Sequence, residues 1–563
     1  MDAQWAALEA ELGYYSNGVA ETKRKMNALR PLCRLPPETL GEIFALHADN
    51  TEIFVEDCTI IPSHVCHYWR EVALSTPRMW TRVAIDRKLE RVEAFLERSK
   101  QVPLRISVIY GMKVPANTWR IVLPEFARVA SFCACLSQDT YNAVADLFPP
   151  SSSHLRTVLM VPEPAVGDAL QKEIPDLFRR CSTPNLQKVH LAGYSIRWDK
   201  MVLPASLTSL TLLSDLRTGV ASVQDPSESM RHMLDALRHL SSLQLLSLKH
   251  AIPPLQTVPL HPYLRQERFS LPKLQHLTIA SSSASIIHVL NRIEFPPYAL
   301  IELELDDFIP GDAFTSAIRF LVEAEEVEGD HHELENYIES LTMRERSLSF
   351  FKAGSDDQDW DHLTDNGHLK IILPTDTVPA VDSLHLVGGL LGSLHRLKHL
   401  FTAGIPITAT SFASWLELLI ATPELDFLWI DLQDLSQEAA AASTLKNLCD
   451  LLSLKDHSPH PSPDPTDPQT PTPTLLVPRL TRLSLISLCF TGTPPQHSKL
   501  LRALSREQNW RGESYVELFY EVLAVRQQKG VEIEELAMWN CMGLTAEDAI
   551  RIKGVVDQVD GTW

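Results

Sequence analysis

The sequence predicts a small helical domain followed by a long α/β array, in which parallel strands alternate with helices. Three observations predict this fold class. Two short amphipathic helical segments lie between residues 31 and 82. A leucine-containing phrase recurs along the rest of the chain, and helix-like stretches separate its copies. One strand–helix unit cannot bury its own apolar face, so we expect stacked units to share a continuous core.

The N-terminal segment, residues 1–30, is predicted to form a helix. Trp5, Leu8, Leu12 and Tyr15 follow at intervals of three, four and three residues, which places them on one face. Either this seam packs against the helix's own domain, or it forms a coiled coil with another helix. Because the letters YSNG interrupt the seam after about two heptads, packing on its own domain is the favoured interpretation.

The segment 31–82 begins with a helix that starts at two prolines. Pro36 and Pro37 suit a helix start, where a missing N–H costs little, and Glu38 suits the positive helix end. The residues that follow at helical spacing are predicted to form one apolar stripe, made of Leu40, Ile43, Phe44 and His47.

A second helix is predicted in the same segment. Cys66 is expected one step round from its apolar stripe, Pro77 is expected to end it, and Trp80 follows. A domain of about 50 residues has a small core, so such a module gains stability by packing on a neighbour or a partner. The stripe of this helix is predicted to contain Val65, Tyr68, Trp69, Val72 and Ala73.

Residues 31–82 resemble an F-box domain. LPPETLGEIF resembles the signature L-P-x-E-x-L-x-x-I-F, and VCHYWREVALSTPRMW resembles the second half, V-C-x-x-W-R-x-x-A followed by Trp. Together with AFLERSKQVPLRISV at 94–108, these stretches are similar to fungal, basidiomycete-type F-box proteins, in which irregular leucine-rich repeats follow the F-box. Met79 replaces the usual Leu, and the loop 48–61 is longer and more polar than a minimal F-box needs.

The resemblance implies a docking function. F-box domains bind a Skp-type adaptor, which joins them to a cullin–RING ubiquitin ligase. The chain would then be a non-catalytic substrate-recognition subunit of an SCF-type E3 ligase. The alternative is a leucine-rich-repeat interaction scaffold whose F-box binds an adaptor without directing ubiquitination. By position, the residues implied to contact the adaptor or support that face are Leu35, Pro36, Leu40, Ile43, Phe44, Val65, Cys66, Trp69 and Arg70.

The region 83–563 carries the repeated phrase, which is the leucine-rich-repeat pattern with an irregular period. Each phrase has a leucine or similar residue, two spacers, another, one spacer and another, as expected for a strand with one apolar face. Helices are expected at 229–242 and 411–422, and the long intervals near the C-terminal end are expected to hide degenerate units. The phrases start at residues 155, 186, 207, 243, 274, 300, 397, 425, 480 and 533.

Exposed spacer positions of these strands are expected to recruit an unknown substrate protein, and an acidic chain favours basic or neutral partners. The last phrase resembles a cysteine-containing repeat, in which buried Cys541 turns the chain from strand to helix. Examples of the spacer positions are Gln187, His190, Gln244, Ser247, Gln275 and Thr278.

Two segments interrupt the array. Residues 322–361 are acidic and are predicted to form a solvated insertion. Residues 457–474 carry a proline every two or three positions, which excludes helix and strand and predicts a disordered loop. Its Ser-Pro and Thr-Pro pairs fit proline-directed phosphorylation, and a bare spacer fits equally well.

Composition disfavours several other functions. The net charge of −20 opposes binding to nucleic acid or an anionic membrane surface, and no apolar run approaches membrane-spanning length. The N-terminus lacks a secretory signal, and nine scattered cysteines favour reduced thiols and an intracellular location, cytoplasmic or nuclear. Cys133 and Cys135 lack a second ligand pair, and the calcium-like loop from Asp357 lacks its Gly and Glu. We therefore expect no metal, no cofactor and no catalytic centre.

Overall fold

The structure is a computed structural model of the whole chain. It describes residues 2–50, 60–85, 88–108, 114–136, 138–162, 180–214, 225–255, 268–307, 312–322, 337–344, 346–352, 367–374, 379–433, 438–453, 475–490 and 514–562. The chain divides into an N-terminal unit, Met1–Ala251, and a C-terminal unit, Ile252–Trp563. Both are mixed α/β with mostly parallel strands, which is the coarse fold class that the sequence predicts. Within the described residues, no helix is both long enough and apolar enough to cross a bilayer.

The N-terminal unit begins with helices and continues as a seven-stranded parallel sheet. Its strands pair in chain order, each parallel to the next. Its helices are α1 (Asp2–Ala28), α2 (Pro37–Asn50), α3 (Pro62–Val65), α4 (His67–Ser75), α5 (Leu89–Arg98), α6 (Ala116–Val122), α7 (Gln138–Val144) and α8 (Pro226–Arg238). Its strands are β1 (Arg82–Ile85), β2 (Leu104–Val108), β3 (Val129–Cys135), β4 (Thr157–Val161), β5 (Lys188–Ala192), β6 (Ser209–Leu213) and β7 (Leu245–Lys249).

The C-terminal unit contains a ten-stranded ladder and a separate short parallel pair. Its helices are α9 (Ser283–Leu290), α10 (Asp312–Val322), α11 (Pro379–Gly388), α12 (Phe412–Ala421), α13 (Glu438–Ser453), α14 (Tyr515–Gln528) and α15 (Ala546–Ile552). Its strands are β8 (Phe269–Ser270), β9 (His276–Ser281), β10 (Ile293–Glu294), β11 (Leu300–Leu305), β12 (Ile338–Arg344), β13 (Ser347–Lys352), β14 (Leu369–Ile372), β15 (His399–Ala403), β16 (Phe427–Asp431), β17 (Arg482–Ile486), β18 (Glu535–Trp539) and β19 (Gln558–Thr562).

The order of strands in the C-terminal ladder departs from chain order at one place. The ladder runs β9, β11, β14, β13, β12, β15, β16, β17, β18, β19, and β8 pairs only with β10. Among the described strands of this ladder, only β13 is antiparallel to its neighbours, β12 and β14. A chain that follows one repeat after another would not contain this reversal.

All ten leucine phrases contain a strand, so the strand predictions are confirmed. In the phrase at 207 the apolar pair points into the core: Leu210 and Leu212 are fully buried, whereas the alternating Ser209 and Thr211 are half-buried. The two predicted helices are present as α8 and α12. The buried cysteine is confirmed as well, since Cys541 is 5% exposed and its Sγ lies 3.5 Å from the Leu485 carbonyl oxygen.

Two predictions about the array are wrong. Residues 338–352 belong to the expected solvated insertion, yet they form β12 and β13 with Leu341 and Phe350 fully buried. Within the described residues, the long intervals before 480 and 533 add no strand to the ladder between β16 and β18, because β17 pairs directly with both. The other parts of the insertion, 323–336 and 353–366, and the proline-rich residues 457–474 lie outside the described residues.

Helix α1 also differs from the expectation. It continues through YSNG without a break to Ala28. The side chains of Trp5, Leu8 and Leu12 are 70%, 62% and 67% exposed. The favoured interpretation, that this seam packs on its own domain, is therefore wrong.

Candidate partner-docking surface

The helices of segment 31–82 pack closely around two aromatic side chains. Gly41 lets α2 approach the end of α4, since a Cβ at this position would lie 2.8 Å from Thr76 Oγ1. Phe44 of α2 packs against Trp69 of α4, with ring centroids 5.1 Å apart. Trp80 follows α4 and donates from Nε1 to the Ala73 carbonyl oxygen at 2.7 Å. This packing gives the segment a defined surface.

Helix α2 is apolar on two faces, so the prediction of one stripe is wrong. Leu40, Phe44 and Ala48 recur every fourth residue and are 1%, 2% and 1% exposed. Ile43 and Leu46 point the other way and are 46% and 48% exposed. A helix that is apolar on both sides has one face left to bury.

The second predicted stripe is divided between two helices. Cys66 has extended backbone angles and ends α3, and its sulfur accepts a hydrogen bond from Trp69 N at 3.5 Å at the start of α4. Cys66 is therefore a cap and not a residue beside a continuous stripe. Val72 of α4 is buried, whereas Val65 of α3 is 55% exposed. The break at Cys66 turns Val65 out of the core.

Hydrogen bonds fix the segment before α2 and the loop around α3. Tyr68 Oη donates to the Leu35 carbonyl oxygen at 2.7 Å, which ties the chain before α2 to α4. Arg70 Nη1 donates to the Ser63 carbonyl oxygen at 3.4 Å, which ties α4 to α3. The two exposed apolar regions are thus held on one framework.

The nine residues expected at the adaptor face fall into three classes. Leu40 and Phe44 are buried and can only support the face. Leu35, Cys66 and Trp69 are half-buried. The residues exposed for direct contact are Pro36, Ile43, Val65 and Arg70.

Sequence reasoning missed three exposed apolar residues near this face. Leu32, Leu46 and Ile61 are 57%, 48% and 53% exposed. Leu46 lies three residues after Ile43, a helical spacing that could have identified it. Leu32 and Ile61 adjoin prolines at short helix starts, which carry no periodic signal.

Exposed apolar side chains are concentrated near the N-terminus. Among the described residues, 22 large apolar side chains are exposed, and 13 of them lie between Trp5 and Val65. The other nine are scattered over the rest of the chain. Such a concentration of exposed apolar side chains is typical of an interaction site.

Two cysteine thiols lie beside each other at this surface. Cys33 belongs to the 3₁₀ turn Pro31–Arg34, and burial together with the neighbouring Cys66 thiol raises the pKa of Cys33. The thiol form is favoured at neutral pH as a result. The two thiols thus link the turn before α2 to the chain between α3 and α4.

The outward face of the N-terminal sheet differs in charge from the chain as a whole. None of its seven strands contains Asp or Glu, although the net charge of the chain is −20. Their charged side chains are Arg82, Arg105, Lys188 and Lys249. Arg105 pairs with Asp49 at 3.3 Å. The predicted spacer residue His190 is half-buried on this face, where burial lowers its pKa.

The outward face of the C-terminal ladder carries an aromatic cluster instead. The ring centroids of Phe401 and Phe427 are 5.3 Å apart, and those of Phe427 and Trp429 are 6.2 Å apart. Arg482 stacks over Phe427 at 5.0 Å and donates to Asp426 Oδ2 at 2.6 Å. Trp429 Nε1 is buried and has no hydrogen-bond partner among the described residues. This face therefore offers aromatic side chains for stacking.

The expectation of no metal site can be compared with the structure only for the described residues. Within the described ranges, no group of three His, Cys, Asp or Glu residues could hold a metal ion. Burial is the main cause that raises the pKa of Cys133 to about 11, and the neighbouring Cys135 adds to it. A thiolate at Cys133 is therefore disfavoured at neutral pH.

Comparison with models of known protein families finds no match, and comparison with curated proteins finds none either.

Proposed function

We propose that the chain is a non-catalytic substrate-recognition subunit of an SCF-type ubiquitin ligase. Segment 31–82 would dock a Skp-type adaptor, and the strand–helix units would recruit the substrate protein. The observation that carries the proposal is the division of the F-box-like motif into a buried half and an exposed apolar half. Leu40 and Phe44 lie in the core of the segment, whereas Ile43 and Val65 are exposed and are not part of that core.

A partner would gain most from the exposed half. Burying an aliphatic side chain contributes about 1.5–3 kcal/mol, and an amphipathic helix that enters a groove presents such anchors at helical spacing. Ile43 and Leu46 on α2 have that spacing.

The test uses the full chain and a purified Skp-type adaptor. Ile43→Asp with Val65→Asp is expected to weaken adaptor binding at least about a hundredfold, because two apolar anchors become charged. Leu147→Asp with Val202→Asp is the matched control, since both are exposed apolar residues of the same unit outside the segment. Isothermal titration calorimetry measures both, and equal thermal unfolding midpoints show that folding is unchanged.

The docking assignment is wrong if the wild-type chain does not bind the adaptor, or if the chain with Ile43→Asp and Val65→Asp still binds it. A second measurement addresses ubiquitination. In a reconstituted cullin–RING ligase, the wild-type chain is expected to direct ubiquitin onto a captured partner, and the double variant is not. Adaptor binding without any transfer would instead support an interaction scaffold.

A further inference from the structure

Helix α1 carries an apolar seam along its whole length. The seam alternates intervals of three and four residues from one end to the other, which is the spacing of a coiled coil. These side chains are exposed, and the helix is 27 residues long, or about 40 Å. The seam residues are Trp5, Leu8, Leu12, Tyr15, Val19, Thr22, Met26 and Leu29, the last just beyond the helix end.

The charges beside the seam change sign along the helix. Glu9 and Glu11 flank its first half, one on each side, and Lys23 and Lys25 occupy the corresponding positions of its second half. In coiled coils, charges at these flanking positions select the partner and its direction. A helix that is acidic at one end and basic at the other is complementary to an antiparallel copy of itself.

One register satisfies the seam and the charges together. When Trp5 lies opposite Leu29 of a second copy, Leu12 lies opposite Thr22 and Val19 opposite Tyr15. In the same register, Glu9 lies beside Lys23 of the second copy on one side of the seam, and Glu11 lies beside Lys25 on the other side. No shift or gap is needed to match both sets.

A parallel pair would lack this complementarity. It would place acidic half beside acidic half, and Lys25 beside Arg30 of the second copy. Within one helix, Glu21 pairs with Arg24 at 3.5 Å and with Lys25 at 3.7 Å, but the Lys25 side chain is 76% exposed. Such surface pairs contribute little, so Lys25 is free to contact a second helix.

We infer that α1 forms an antiparallel two-stranded coiled coil with α1 of a second copy of the chain. The protein is then a dimer through a surface outside segment 31–82. Thr22 and Tyr15 weaken the seam, and the helix is short, so we expect dissociation in the micromolar range.

The test is sedimentation velocity of the full chain over a concentration series. The wild type is expected to convert from monomer to dimer. Glu9→Lys with Glu11→Lys places like charges across the interface and is expected to raise the dissociation constant at least tenfold. Adding Lys23→Glu and Lys25→Glu restores both the net charge and the complementarity, and is expected to return the constant to within about threefold of wild type.

The matched control is Ala10→Lys with Asn17→Lys, which adds positive charge on the outer side of the helix and is expected to leave dimerisation unchanged. Leu12→Asp, in the middle of the seam, is expected to abolish it. The inference is overturned if the wild-type chain stays monomeric at a concentration 100-fold above the expected micromolar dissociation constant. It is also overturned by a dimer that tolerates Glu9→Lys with Glu11→Lys, or by a four-residue exchange that fails to restore it.

The result is independent of the proposed function. Adaptor titrations with the same variants are expected to match wild type, because none of the substitutions lies in segment 31–82. If dimerisation is lost and adaptor binding is intact, the effect lies in the α1 surface. If adaptor binding is lost and dimerisation is intact, the effect lies in segment 31–82.

Discussion

The first 65 residues and the strand–helix units that follow use leucine and isoleucine in opposite ways. In the strands, the apolar residue at the fourth position of each phrase is almost completely buried, as Leu210 and Leu428 show. Among the described residues of the first 65, thirteen large apolar side chains are exposed, Leu12 and Ile43 among them. The difference teaches that apolar residues fill the chain's own core in one region and remain exposed in the other, where we propose that a partner docks. Substitutions in the two regions should therefore change different quantities.

The largest loss of stability is expected at Arg526 in the C-terminal unit. This side chain is fully buried in α14, where burial lowers its pKa to about 10. Its guanidinium donates to three carbonyl oxygens, those of Leu452 at 3.4 Å, Leu476 at 3.1 Å and Val477 at 2.9 Å. Arg526→Ala leaves these acceptors unpaired around a cavity, so we expect a loss of about 3–5 kcal/mol in urea unfolding.

A surface arginine provides the control for Arg526. Arg479 is 67% exposed and pairs with Glu424 at 3.5 Å. Arg479→Ala is expected to change the free energy of unfolding by less than about 0.5 kcal/mol. Equal effects of the two substitutions would show that Arg526 is not a structural bridge.

A matched pair of aliphatic residues tests the comparison itself. Leu428 is 0% exposed and lies in register with Leu400 and Leu483 in the core of the ladder. Leu428→Ala is expected to lower the free energy of unfolding by about 3 kcal/mol because it leaves a cavity. Ile43→Ala is expected to change it by less than about 0.5 kcal/mol, since the side chain is 46% exposed. A loss at Ile43 as large as at Leu428 would mean that Ile43 belongs to a core.

Mild acid is expected to weaken the C-terminal unit through a buried histidine. Burial, with a smaller contribution from Lys352, lowers the pKa of His368 to about 4 from its ordinary 6.5. The folded chain therefore resists protonation that the unfolded chain accepts. Stability from this group is complete above pH 6.5 and is lost as the pH falls to 4, by up to about 3 kcal/mol.

Urea unfolding between pH 7 and pH 4 measures this loss. His368→Gln is expected to flatten the decline in that window, and His395→Gln, at an exposed position, is not. An unchanged decline in the His368 variant would show that other groups cause it.

The sequence predicted the fold best where one physical signal acts alone. The ten leucine phrases became strands because their alternation matches a sheet with one buried face. β12 was missed because neighbouring acidic residues concealed the short alternation of Leu341 and Met343. Composition over a window averages such a signal away.

The docking surface was predicted only in part for a different reason. The spacing identified Ile43 and Val65 but did not tell exposed residues from buried ones, because α2 is apolar on both faces. Two facts settled the question, the extended backbone at Cys66 and the contact of Gly41 with Thr76, and both depend on tertiary packing. The continuity of α1 through Gly13 and Gly18 runs against helix propensity, because glycine destabilises a helix interior by about 1 kcal/mol relative to alanine.

The smallest expected effect has the opposite sign. Ser484 is 2% exposed on the outward face of β17, in register with Trp429, and its hydroxyl has no hydrogen-bond partner in the described part of the chain. A buried hydroxyl without a partner costs free energy, so Ser484→Ala is expected to stabilise the chain by about 1 kcal/mol. Thr402 is the control, because its hydroxyl is buried and donates to the Trp429 carbonyl oxygen at 3.1 Å. Thr402→Val is expected to lower the free energy of unfolding by about 1 kcal/mol. Urea unfolding measures both variants. Changes of opposite sign would show that the outward face retains a polar group that the fold itself does not use.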